Sequence, residues 1–118
     1  MRIPDHILKT LPALRSDEDC PLSQKRAMIR FYSPTNGWSW YGFEAEILSE
    51  EDGGGVLFFG WVDGDEQELG YFSTQEFDTV SGHIILDDDF TPRPFPEVKA
   101  LHDKFGHITK LRELEIAG

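Results

Sequence analysis

The chain has 118 residues, a formal net charge of −11, a mean hydropathy of −0.40 and a single cysteine. That length suits one domain with one core, spanning residues 1–118, and the lone Cys20 excludes an internal disulfide or a cysteine-based zinc site. The negative balance excludes direct binding to nucleic-acid backbones or anionic membranes, which such a surface repels, and favours basic protein partners.

The charge is also unevenly placed. Met1 to Arg30 carries six basic and four acidic residues, and Arg93 to Gly118 five basic and four acidic. Phe31 to Pro92 holds fourteen acids and no Lys or Arg. The longest apolar run, Val56 to Val62, falls far short of the about 20 residues of a membrane helix. Met1 to Leu14 lacks the apolar segment of a secretory signal, so a soluble, cytoplasmic protein is expected. Asp17, Glu18 and Asp19 beside Cys20 disfavour its thiolate and make it an inert thiol.

In chain order, Ile3, Ile7, Leu8 and Leu11 recur at helical spacing behind Pro4, predicting a short helix against a sheet that Pro12 ends. Ser16 to Ser23, with Pro21 inside it, reads as a loop. Ala27 to Tyr32 reads as a strand, and Pro34-Thr35-Asn36-Gly37 as a turn into a second strand, Trp38 to Ile47, giving a hairpin. Alternate strand residues share a face. Strict alternation therefore puts Ser39, Tyr41, Phe43, Ala45 and Ile47 on a core face and Trp38, Trp40, Gly42, Glu44 and Glu46 on the other. That second face reads as two aromatic anchors with an acidic border. The competing reading has Trp38 and Trp40 filling the space over Gly60 or Gly70 of neighbouring strands.

Ser49 to Gly55 is an acidic, glycine-rich loop, and the helix and Lys of a phosphate-cradling loop are missing after it. Val56 to Val62 is apolar on successive faces and reads as a strand buried on both sides, turned by Asp63-Gly64-Asp65-Glu66 into a further strand, Glu68 to Phe72. These two and the Trp38–Ile47 strand are expected to form the centre of the sheet. Ser73-Thr74-Gln75-Glu76 has the form of a capping box and predicts one helical turn over Thr74 to Thr79. Gly82 to Leu86 reads as an edge strand, and Thr91 to Pro96 as extended chain. Pro96 then opens a helix in which Val98, Leu101, His102 and Phe105 make an apolar stripe, and Gly106 stops it. A last short helix is predicted from Thr109. The fold class is α+β: a mainly antiparallel sheet of four to five strands with short flanking helices.

No reaction is legible. His6, His83, His102 and His107 have no telling spacing to a carboxylate or nucleophile, and His102 on its apolar stripe reads as a packed histidine. Gly106 between His102 and His107 rules out the two-histidine helical zinc pattern. Asp63-Gly64-Asp65-Glu66 and Asp87-Asp88-Asp89 lack the alternating ligands and closing Glu of a calcium loop and read as solvated turns. No catalytic residue, metal ligand or cofactor is assigned.

Trp38-Ser39-Trp40-Tyr41, Glu44, Phe58 to Gly64, and Glu68 to Ser73 with Glu76-Phe77 resemble the core pattern of the domain of unknown function 2958 family. Arg30 to Pro34 and Leu11 to Leu14 resemble its earlier segments, so the likeness covers roughly Leu8 to Asp89. This chain departs at Ala45, where the family tends to an aromatic, and at Trp61, where it tends to an aliphatic. The family occurs in bacteria, phages and mobile elements and has no agreed activity, so the resemblance implies a genetic setting and supplies no catalytic residues. The function expected is a non-enzymatic acidic protein-binding module. In that setting it becomes an inhibitor mimicking nucleic-acid charge against a host defence protein of anti-CRISPR or anti-restriction type. The binding residues expected are Trp38, Trp40, Glu44, Glu46, Asp63, Asp65, Glu66 and Glu68, and the partner a basic or nucleic-acid-binding protein. The alternative is an enzyme using carboxylates, with or without a divalent metal, on an unknown substrate.

Overall fold

A computed structural model describes residues 1–16, 18–79 and 83–108. In chain order these form α1 (Asp5–Leu8), β1 (Arg26–Ala27), β2 (Ile29–Tyr32), β3 (Ser39–Ile47), β4 (Val56–Asp63), β5 (Gln67–Ser73), α2 (Thr74–Thr79), β6 (Ile85–Leu86), β7 (Arg93–Pro94) and α3 (Phe95–Phe105). An antiparallel five-stranded sheet runs in the order β5-β4-β3-β2-β6, and β1 with β7 makes a separate two-stranded ribbon. The fold is α+β, as the hydrophobic periods predict. The helix predicted from Thr109 lies outside the described residues. No helix among the described residues is long and apolar enough to cross a membrane.

The strand over Val56 to Val62 forms as read, with both of its faces covered. Phe58 faces one core with Ile29, Phe31, Phe72 and Phe77, while Trp61 faces a second with Tyr41, Phe43, Phe95 and Val98. In the first core the rings of Phe31, Phe58 and Phe77 meet at centroid distances of 4.9–5.4 Å, in edge-on or tilted geometries that favour aromatic pairs. The centre of the sheet is β3, however, and β5 is an edge strand. The predicted strand Ala27–Tyr32 splits at Met28, its first part leaving β3 to pair with Arg93-Pro94.

Ser73 caps α2 as predicted: its Oγ accepts from the Glu76 amide at 3.3 Å, and α2 runs to Thr79. At the other end of the domain α3 starts one residue earlier than predicted, at Phe95, with Pro96 in its first turn, and ends at Gly106 with φ 73°. Its buried residues are Phe95, Val98 and His102, whereas Phe105 is 44% exposed and drops out of the predicted stripe.

One irregularity decides where the side chains of β3 point. Tyr41 pairs with Trp61 and Gly42 with Gly60, but the next partner of Phe59 is Glu44, so Phe43 is an extra residue in a β-bulge. Past the bulge the alternation inverts. Glu44 and Glu46 join the face of Tyr41, and Ala45 and Ile47 join the face of Trp40. Gly60 permits the close approach here, since a Cβ on it would strike the Tyr41 carbonyl oxygen. Beyond the bulge β2 no longer accompanies β3, and the N-terminal strap takes its place. Ala45 N–H donates to the Pro12 carbonyl at 2.9 Å, and Leu14 N–H donates to the Ala45 carbonyl at 3.2 Å.

Candidate functional site

The single face expected to combine two tryptophans with two carboxylates does not form, because the bulge separates them. Trp38 and Trp40 stay together, with centroids 6.0 Å apart, and Trp40 meets Phe77 of the first core at 5.1 Å. The glycine that Trp38 covers is Gly64: a Cβ there would lie 2.9 Å from the indole. The filling role was assigned to Gly60 or Gly70, but Gly60 faces the Tyr41 backbone and Gly70 faces open space. Among the carboxylates, Glu46, Asp65, Glu66 and Glu68 are exposed, whereas Glu44 and Asp63 are buried. Nor do Glu44 and Glu46 continue in a row to Glu66 and Glu68, since Glu68 pairs with Val62 and so shares the opposite face.

Asp63 was expected in a solvated acidic turn, and it instead ends a buried polar chain beneath α3. Arg30, on β2, donates from Nε to Tyr41 Oη at 3.0 Å. Tyr41 Oη and His102 Nε2 are 2.6 Å apart, and His102 Nδ1 lies 2.6 Å from Asp63 Oδ2. The Asp63 carboxylate only accepts and burial keeps His102 neutral, so Nε2 accepts from the Tyr41 hydroxyl, whose oxygen accepts in turn from Arg30. That leaves the histidine proton on Nδ1, facing the Asp63 carboxylate. At the other end Arg30 Nη1 pairs with Asp87 Oδ2 at 2.8 Å, and Nη2 reaches Ser39 Oγ at 3.1 Å and the Ile108 carbonyl. Desolvation pushes the Tyr41 hydroxyl up to about 12 against the pull of the Arg30 charge. Burial likewise holds His102 below 6.5, with the Asp63 hydrogen bond opposing it.

In order, the Asp63, His102 and Tyr41 arrangement is that of a carboxylate, a base and a hydroxyl. Tyr41 is 0% and His102 2% exposed, so no substrate reaches the hydroxyl and the chain works as a polar tie between sheet and helix. Its pH response follows from the neutral histidine. The folded value lies below the unfolded one, so the linked stability is fully present above pH 6.5 and is lost as pH falls through the folded value. The melting temperature is therefore expected to drop as pH falls from about 7 through 6.5 and below, with a shallower slope in His102→Gln. Equal slopes in the two proteins, measured by thermal melting across that range, would remove His102 as the cause.

The other half of the same sheet face is not covered by α3 and holds two adjoining cavities under the N-terminal strap. The larger, about 690 Å³, lies between Leu14 and Arg15 of the strap and Glu46, Leu57 and Tyr71 of the sheet. The smaller, about 300 Å³, adds Glu18, Leu22, Lys25, Glu44, Phe59 and Leu69. Arg15 and Tyr71 belong to both. Arg15 holds φ at 68°, a left-handed conformation that costs a side-chain-bearing residue on the order of 1–2 kcal/mol.

Glu44 is 2% exposed and pairs through Oε2 with Lys25 Nζ at 3.3 Å. Its other oxygen, Oε1, is sealed from solvent and has no hydrogen-bond donor among the described residues. By sequence Glu44 reads as a surface acid, and Lys25 carries no sign of a functional role. A glycine inside a strand pattern, Gly42, was the local sign of a bulge. Nothing in the spacing of Lys25 marked it as the partner. Among the described residues no group of three or more His, Cys, Asp or Glu side chains is arranged to hold a metal ion. Comparison with family models, with curated proteins and with solved structures finds no match.

Proposed function

We propose that this chain is a non-enzymatic acidic protein-binding module of the cytoplasm that mimics nucleic-acid charge on a basic partner. Its residue pattern motivates placing it with the domain of unknown function 2958 family, and that setting suggests an inhibitor of a host defence protein of anti-CRISPR or anti-restriction type. The observation that carries the reading is outward-facing, unneutralised charge. Glu50 and Glu51 at the β3–β4 turn and Asp65, Glu66 and Glu68 around the β4–β5 turn are exposed, and none is ion-paired to a described residue. The two clusters sit at opposite ends of the eight-residue β4, about 26 Å apart at a strand's rise per residue. That spacing exceeds the Debye length of about 8 Å at physiological salt, so each end acts as a separate acidic patch.

Within the second patch Glu66 and Glu68 lie two residues apart, close enough for their potentials to add. β5 is also an edge strand, which gives a partner backbone hydrogen bonds next to the charge, while its Leu69 and Tyr71, 47% and 55% exposed, offer apolar anchors on the sheet face opposite Glu68. Charge alone also serves solubility, and the experiment must separate the two. The variant Asp65→Lys, Glu66→Lys, Glu68→Lys changes only exposed positions. Immobilised wild-type protein is expected to capture a nucleic-acid-binding protein from a bacterial lysate at low salt. The triple variant is expected to lose that protein, and so is the wild type at moderate salt. Capture indifferent to charge reversal would reduce the acidic turns to a solvated surface.

A further inference from the structure

We infer that the cavity of about 300 Å³ beside β5 is a lysine-binding site, in which Glu44 Oε1 accepts from the ammonium group of a lysine on the partner. This deepens the protein-binding reading above and rests on it. Three observations carry it. The first is the unfinished carboxylate: a buried charged oxygen without a donor forfeits a charge-assisted hydrogen bond, and an incoming donor recovers it. Since Oε1 is sealed, entry of the ligand requires a lining side chain to shift.

The second is the choice between the two basic side chains. Arginine favours bidentate pairing with both oxygens of a carboxylate. Here Oε2 is already held by Lys25, so one oxygen is on offer and a compact ammonium fits it better. The third is the wall. Phe59 and Tyr71, with centroids 5.2 Å apart, and Leu69 offer an apolar channel for a lysine stem, and the Phe59 ring already has Lys25 Nζ 5.9 Å from its centroid. Arg15 and Lys25 balance Glu18 and Glu44 around the cavity, so the lining as a whole repels neither sign of charge.

The test uses the N-acetyl methylamide of lysine as probe and its norleucine counterpart, which has the stem without the ammonium, each titrated against the full chain by amide NMR. Shifts at Phe59, Leu69 and Tyr71 are expected to saturate with lysine at about tenfold or more lower concentration than with norleucine, the factor one charged hydrogen bond supplies. Glu44→Gln is expected to abolish that preference. As this change also strips Lys25 of a charge partner, Tyr71→Ala at an exposed position is the second variant, and it is expected to weaken lysine and norleucine together. Equal affinities for the two probes, or no shifts at those amides, would overturn the site. The charge-reversal variant separates the two proposals. If lysine still saturates the cavity while lysate capture ignores charge reversal, the mimicry reading falls and the site stands. If capture responds to charge and lysine does not bind, the site falls alone.

Discussion

Trp61→Ala is expected to destabilise the protein by about 3–5 kcal/mol, against a total for a domain of this size of about 5–15 kcal/mol. The indole is 3% exposed and meets three rings: Tyr41 at 5.9 Å, Phe95 at 5.2 Å and His102 at 5.4 Å. It thus joins β3 and β4 to α3, and truncation leaves a hole that neither a strand nor a Pro-opened helix can close without moving the other. Thermal melting of the variant checks it. A midpoint within a few degrees of wild type would mean that α3 does not rest on β4 as described.

Arg30→Met is expected to cost a similar amount, about 3–5 kcal/mol, for an electrostatic reason. Methionine keeps much of the volume, but it leaves the Asp87 carboxylate, the Tyr41 hydroxyl, Ser39 Oγ and the Ile108 carbonyl without the guanidinium that ties them. The penalty comes from the orphaned groups rather than from the lost pair, so pairing Arg30→Met with Asp87→Asn should recover part of the loss. Denaturant melts of the single and double variants check this. Strict additivity would show that Arg30 and Asp87 are not coupled.

Much of the fold was legible because its signals are local. The run Val56 to Val62 is apolar on both faces, Ser73 caps its own helix, and Pro96 with Gly106 brackets another. The candidate site was far less so. Strict alternation along Trp38 to Ile47 misplaces every residue after Phe43, because one inserted residue inverts the remaining faces. That insertion depends on Gly60 across the strand pair, a cause lying eighteen positions beyond Gly42 in the chain. Asp63 looked like a solvated turn acid for the same kind of reason. Its partner His102 is 39 residues away and approaches only when α3 docks. His102 did carry a hint, a polar ring on an apolar stripe, but the stripe alone names no partner. The exposed acids were legible as charge but not in their placement, since their spacing is set by the length of β4.

The central claim, that the acidic turns stand in for a nucleic acid, is tested most directly by competition. A captured partner is held on a labelled duplex or guide RNA at low salt, and this protein is titrated in while the bound label is followed. Release of the nucleic acid at stoichiometric protein, lost in the Asp65→Lys, Glu66→Lys, Glu68→Lys variant and reversed by excess duplex or RNA, is the predicted result. A ternary complex that keeps its nucleic acid at every protein concentration would contradict it.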